Sequence, residues 1–264
     1  MGADALPATR RKQRRLKRLG IVVALPDEAR SLLGRRAAVG TVADLSAGVV
    51  VAVGGLGAVA AERAAISLVD SGVTALMSWG TAGGLDPALA AGALLLPREV
   101  LDAHGGRYAV DAAWHGRLQR GFAGVSPVGA GGLMTVAEPL VSVSAKRKAF
   151  ARHPVDGVDM ESYAIASVAV MRGLPFAVVR AVIDAADRAL PEVVQIALDE
   201  QGELRPKAIA AALLRRPQDL LGMLLVARHF ASAERSLKAA AALGTAQAFW
   251  APAAPLDQAK AIAA

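Results

Sequence analysis

The chain has 264 residues, enough for one large α/β domain with its own core. With 54% hydrophobic residues it is not a disordered chain, and with no cysteine it has neither a disulfide framework nor a thiolate metal site or nucleophile. Its net charge of +7 is concentrated in residues 1–18, where seven Arg and Lys face Asp4 alone; the nearly neutral body is unlike the basic folded face of a nucleic-acid-binding domain.

The basic start is not followed by the apolar stretch and small-residue cleavage site of a signal peptide. The longest apolar runs, such as LLGMLLVA at 220–227, fall short of the ~20 residues that span a bilayer. A cytoplasmic protein is therefore expected. Residues 1–18 read as a solvated tail, or as a peripheral contact to an anionic membrane, where basic residues add ~1 kcal/mol each. Gly20–Leu25 (GIVVAL) predicts a buried strand, and PDEARSLL a helix opened by proline and acids. Val49–Val53 predicts another strand, followed by GGLG and the helix AVAAERAAISLVDSG. Thr74–Trp79 is a third strand, ending in a glycine turn, GTAGGL (80–85). ALLLPREVLDA is strand-like, 103–127 polar and irregular, GLMTVAEPL a strand entering a loop, and SAKRKAF a basic helix. Asp159–Arg172 predicts a helix, and Pro175–Ile183 a buried strand that delivers Asp184. Residues 206–240 read as helical, restarted at Pro217, and the Ala/Pro-rich tail 244–264 as loose. Strands alternating with helices predict a single α/β domain over 19–243 with a parallel or mixed sheet.

In such folds ligands sit at the carboxyl ends of strands. Pro26–Glu28, Gly54–Gly57, Gly80–Gly84 and Asp184–Asp187 all fall there, and Val158–Glu161 opens a helix that could face the same crevice. One convergent site is expected. GGLGAVA matches a dinucleotide fingerprint through Gly55, Gly57 and Ala60, but it follows the second strand. The fingerprint also wants an acid closing the next strand about 20 residues on, and that strand ends in SWGTAGG. The glycine amides suit an anion, a ribose or simple tight packing. Asp184, after a β-branched run, is either a helix N-cap or a carboxyl whose desolvation makes it a proton donor near neutral pH. Within VDMES, capping and the macrodipole account for one acid; a carboxylate accepting two hydrogen bonds also grips a vicinal diol such as that of ribose. The four histidines have no metal spacing, so no metal is expected, and neither a GxSxG elbow nor a P-loop is present.

GIVVALPDEA, GGLGAVAA, SWGTAGGL, VDMESYAIA and RAVIDAAD, in this order over about residues 20–187, resemble the nucleoside phosphorylase/nucleosidase superfamily, in its branch of methylthioadenosine/adenosylhomocysteine nucleosidases. DRALP and GELRPKAIAAALLRRPQDLLGMLLVARHF look closer to the hopanoid-associated phosphorylases, which remove adenine from adenosylhopane. The resemblance implies a three-layer sandwich of the nucleoside phosphorylase type with a central mixed sheet. It also implies that Asp184 assists protonation of the purine at N7, that Glu161 grips the ribose hydroxyls and that Met160 lies against the sugar. Thr81, Ala82 and Gly83 would line the sugar and base, and Glu28 would activate water. Asp159 is expected to be structural and Asp187 to cap or support its loop.

Phosphorylases of this superfamily often carry arginines before the glycine turn and near the first strand, where this chain has Ser78 and Glu28. Gly55, Gly57, Arg63 and Thr81 are then the phosphate candidates, with Arg30 or another subunit's arginine as substitutes. The resemblance implies no cofactor beyond inorganic phosphate as a co-substrate, a nucleoside partner that is lipid-linked in the hopanoid case, and a homo-oligomer. A hopane would need an apolar mouth, for which the 206–230 segment offers Leu213, Leu214, Leu220, Leu221, Met223 and Leu224; ordinary core is the alternative. The resulting expectation is release of adenine from a 5′-substituted adenosine, with adenosylhopane phosphorolysis ahead of a hydrolytic methylthioadenosine/adenosylhomocysteine nucleosidase. A nucleoside-binding protein without turnover is the rival of another class, and a dinucleotide oxidoreductase the outsider.

Overall fold

Strands with no polar face have to be covered on both sides, and two of them form the heart of the sheet. In the computed structural model, which describes residues 18–125, 128–190, 205–216 and 219–244, β1 (Leu19–Val23) and β3 (Val49–Val53) are buried at every position. They pair in parallel, and β1 pairs in parallel with the long strand β4 (Ala75–Gly84). The antiparallel β2 (Val42–Ser46) closes that side with the alternating exposure of an edge strand. On its other side β4 runs parallel to β11 (Phe176–Asp184). The carboxyl half of β4 also meets β10 (Gly157–Asp159), antiparallel, which leads through β9 (Gly132–Thr135) and β6 (Glu99–Asp102) to β7 (Arg107–Ala109). The short β5 (Leu94–Leu95) and β8 (Val128–Gly129) extend from β11.

The two sheet faces carry separate cores. Ile21, Val51, Met77 and Val179 face α1 (Pro26–Leu33), α3 (Ala112–Gly121) and the carboxyl half of α7 (Asp219–Gly244), which contributes Ala233, Leu237 and Ala240. Val22, Val50, Leu76 and Val178 face α2 (Ala58–Asp70) and α5 (Ser162–Met171). The result is the expected three-layer α/β sandwich with a mixed sheet. Two more helices, α4 (Val143–Arg152) and α6 (Pro206–Arg215), complete the described elements. No helix among the described residues is long and apolar enough to cross a membrane. The tails expected at 1–18 and 244–264 lie, except for Arg18 and Gly244, outside the described residues.

Four local expectations are corrected. GTAGGL is not a turn: β4 continues through it, because β11 keeps pairing as far as Asp184 opposite Gly83. Gly80 is needed at φ 154°, since a Cβ there would lie 2.6 Å from both Arg180 Nη1 and the Glu28 carboxyl. Within 103–127 the chain forms β7 and α3, the latter capped by Asp111 and buried through Trp114, Leu118 and Phe122. ALLLPREVLDA splits into β5 and β6 around Pro97, which cannot donate to a ladder. The helix expected from Asp159 begins at Ser162, and Asp159 instead ends β10.

Candidate active site

The segment after β1 and the carboxyl ends of β4, β10 and β11 bring polar residues to one cavity of about 380 Å³. Its polar end is lined by Glu28 from the start of α1, Thr81, Ala82 and Gly83 from β4, Asp159, Met160 and Glu161 from the β10–α5 junction, and Asp184 from β11. Leu25, Leu56, Val136, Leu140, Val141 and Leu190 make the apolar wall.

The carboxylates are buried and held by specific partners. Glu28 Oε1 accepts from the Thr81 amide and hydroxyl, each at 2.7 Å, and Oε2 accepts from the amides of Ala24 and Leu25 at 3.1 Å. Four donors match the roughly four lone-pair sites of an ionised carboxylate. Glu161 stands at the N-cap position of α5 without capping it. Its Oε1 accepts from the Gly57 amide at 2.9 Å, and Oε2 faces Arg180 Nη2 at 3.4 Å. Burial pushes the Glu161 carboxyl up to about 7, against the pull of Arg180 and the Gly57 amide. Asp159 does the capping: it accepts from the Ser162 amide and hydroxyl, takes a 2.7 Å bond from Thr135, and pairs with Arg180 at 2.7 Å.

Asp184 is the last residue of β11, so it is not a helix cap. Its Oδ2 meets the ammonium of Lys146, a fully buried side chain of α4. Burial pushes the Asp184 carboxyl up to about 6, while Lys146 pulls it down. Burial thus favours the protonated form of this carboxyl over that of an ordinary aspartate.

Arg180 is the residue that the sequence reading passed over. Its guanidinium lies among Asp159, Glu161 and Glu28 and donates to Ser78 Oγ at 2.9 Å. Burial works against its charge, but the surrounding carboxylates outweigh this and hold its pKa above the ordinary value. A charge inside FAVVRAVID was a visible signal, because a buried cation needs partners. Lys146 carried no such signal among the neighbouring Arg147 and Lys148, both exposed.

Other expected residues fall elsewhere. Arg63 is exposed on α2 and does not line the cavity. The amides of Gly55 and Gly57 are engaged within the protein, with the Ala24 carbonyl at 3.0 Å and with Glu161, and are not open to an anion. Arg30 pairs with Asp27 at 2.8 Å. Asp187 forms an exposed pair with Arg188. Among the described residues, 206–230 contributes nothing to the apolar wall: Leu214, Leu220 and Leu224 are exposed and Met223 does not line the cavity, while the side chains of Leu213 and Leu221 are outside those described.

The sequence matches the family described as the phosphorylase superfamily over residues 18–215. No curated protein matches it. Solved structures share the fold. One is the 5′-methylthioadenosine/S-adenosylhomocysteine nucleosidase of Neisseria meningitidis in complex with methylthio-immucillin-A, with a TM-score of 0.60 and 21% identity over 87% of this chain and 100% of that one. The Helicobacter pylori nucleosidase with butyl-thio-DADMe-Immucillin-A aligns with a TM-score of 0.60 and 15% identity, over 85% of this chain and 97% of that one. Futalosine hydrolase of Helicobacter pylori aligns with a TM-score of 0.60 and 16% identity, over 88% and 97% of the two chains.

Proposed function

The chain belongs to the phosphorylase superfamily, and from that premise we propose that it cleaves the N-glycosidic bond of a 5′-substituted adenosine and releases adenine. The observation that carries this reading is the meeting of a protonatable Asp184 with Glu161 and Glu28 on one cavity. Breaking C1′–N9 sends the bond's electron pair to the base while the sugar becomes oxocarbenium-like, which calls for an acid at the leaving group and carboxylates around the sugar. Asp184 gives its proton to N7, so adenine leaves neutral. Glu161, fixed by Gly57 and Arg180, accepts from the ribose hydroxyls, with Met160 against the sugar and Thr81, Ala82 and Gly83 along sugar and base. The Thr81 hydroxyl turns from Glu28 toward the sugar, and the freed Oε1 takes the proton of the attacking water as its oxygen bonds to C1′.

Water is the nucleophile that the charges favour. With Asp184 protonated as the acid, three buried carboxylates, Glu28, Asp159 and Glu161, face two buried cations that are already paired, Arg180 and Lys146. A phosphate dianion would meet net repulsion there. Phosphorolysis, with Thr81 and an arginine from elsewhere binding the anion, is the competing reading. The apolar wall supports an apolar 5′ substituent. A space of about 380 Å³ suits the nucleoside part, and a hopane would project from its apolar rim. On the sequence likeness, adenosylhopane is the finer substrate reading, and methylthioadenosine the alternative that the same wall accommodates. A lipid-borne substrate also gives the basic segment 1–18 a use at an anionic membrane surface.

The decisive assay is chromatographic detection of adenine from methylthioadenosine and from adenosylhopane in detergent, each with and without phosphate. Release without phosphate is the expected result. A strict phosphate requirement would overturn water as the nucleophile, and release from the hopanoid alone would assign the lipid substrate.

Glu161→Gln tests the diol grip. The amide offers one acceptor in place of two, so turnover of ribonucleosides should fall by ~10-fold or more, the size of a lost charge-assisted hydrogen bond. The corresponding 2′-deoxynucleosides should lose much less. Equal losses for both would remove the ribose hydroxyls from the account.

A further inference from the structure

We propose that Lys146 is the positioning residue of the catalytic acid: it holds the turn after β11 and fixes the Asp184 carboxyl for proton delivery. The inference rests on the reading of Asp184 as the acid. Of the basic side chains of α4, Arg147, Lys148 and Arg152 are exposed and Lys146 alone is buried, with none of its side chain open to solvent. A buried ammonium persists only where acceptors replace its water. Here all of them come from one short stretch. Besides Asp184 Oδ2, Nζ reaches the carbonyls of Ala185 at 2.9 Å, Arg188 at 3.0 Å and Asp184 at 3.3 Å. Three N–H groups shared among these acceptors tie residues 184–188 to α4 as a unit. With Oδ2 held, Oδ1 is the oxygen left for the base.

The pairing also sets the acid's strength. Glu28, Asp159 and Glu161 border the same cavity, Arg180 is paired with Asp159 and Glu161, Asp187 and Arg188 form an exposed pair at 3.7 Å on the same turn, and Arg147 and Lys148 point to solvent. Lys146 is the charge in contact with Asp184, and it offsets the effect of burial on that carboxyl. Without it the ionised carboxylate would stand in an apolar surround, and the proton would be held too tightly.

The test uses the full chain, with methylthioadenosine or whichever 5′-substituted adenosine the wild type cleaves, in four forms: wild type, Lys146→Met, Asp184→Asn and the double variant. Lys146→Met should lower kcat/KM by ~10–100-fold, in line with a misplaced catalytic group. The alkaline limb of its pH profile, which reports the free enzyme's acid, should move to higher pH. In the Asp184→Asn background the same change should cost less than about twofold, because residues acting through one another are not additive. Thermal unfolding follows each protein, and Lys146→Gln, which keeps donors to the carbonyls without the charge, replaces Lys146→Met if that variant does not fold. An equal loss in both backgrounds, or an unmoved pH limb, overturns the positioning role while leaving Asp184 as the acid. If Asp184→Asn retains full activity, the acid assignment fails, and this proposal with it.

Discussion

Asp184→Asn should slow adenine release by at least ~100-fold, the lower end of what a general acid contributes, while the protein remains folded. The substitution is nearly isosteric, and its amide oxygen can still accept from Lys146 Nζ, so the anchored turn keeps its partner. What is lost is the proton. The pH dependence follows from the folded-state pKa. Burial raises the Asp184 carboxyl to about 6, so below that pH it is protonated and can donate. As pH rises through it the acid form disappears, and kcat/KM should fall along an alkaline limb that the variant lacks. Adenine release measured from pH 5 to 8, with thermal unfolding as the control for folding, checks both statements. Full activity in the variant would remove Asp184 from the chemistry. A wild type that binds nucleosides yet releases base from none of them would instead indicate a binding protein.

Arg180→Leu should be the most destabilising single change at the site, costing ~3–5 kcal/mol, the usual result of removing one partner from a buried ion pair. The guanidinium is 1% exposed and lies against Asp159 and Glu161, with Glu28 also close enough to act on its charge. Leucine fills part of the volume but leaves those carboxylates without a counter-charge. They would then take up protons in the folded state at pH values where the unfolded chain has released them. A folded state that binds more protons than the unfolded one loses stability as pH rises. The deficit of the variant should therefore widen from pH 5.5 to pH 8, as denaturant unfolding would show. A loss below ~1 kcal/mol at pH 8, the scale of a surface ion pair, would mean that the cluster does not depend on Arg180.

Much of this arrangement could be read before any coordinates. The unbroken apolar runs GIVVAL and VVVAV and the helix start PDEARSLL needed no tertiary information, since strands covered on both faces show no alternation and acids with proline mark a first helical turn. The errors have local causes. Gly80–Gly84 read as a turn because glycines usually break strands. Here they let β4 pass between β10 and β11, with Arg180 and Glu28 packed against its backbone. The helix at 112–121 buries Trp114, His115 and Leu118, with Phe122 just beyond, a short stripe amid arginines and glycines that does not stand out.

By itself, the sequence determined the α/β class and the acids that end its strands, because those follow from periodicity and from polar residues interrupting apolar runs, while its motifs carried the family resemblance. Only the tertiary structure decided which carboxylate takes which partner. Asp159 and Glu161 are two residues apart, yet one caps α5 and pairs with Arg180 while the other reaches across to Gly57, 104 positions away in the chain. Lys146 meets Asp184, 38 positions later in the chain, only in the folded protein. Side-chain charge is a property of a residue, but burial and partnership, which set how tightly a proton is held, belong to the packed chain.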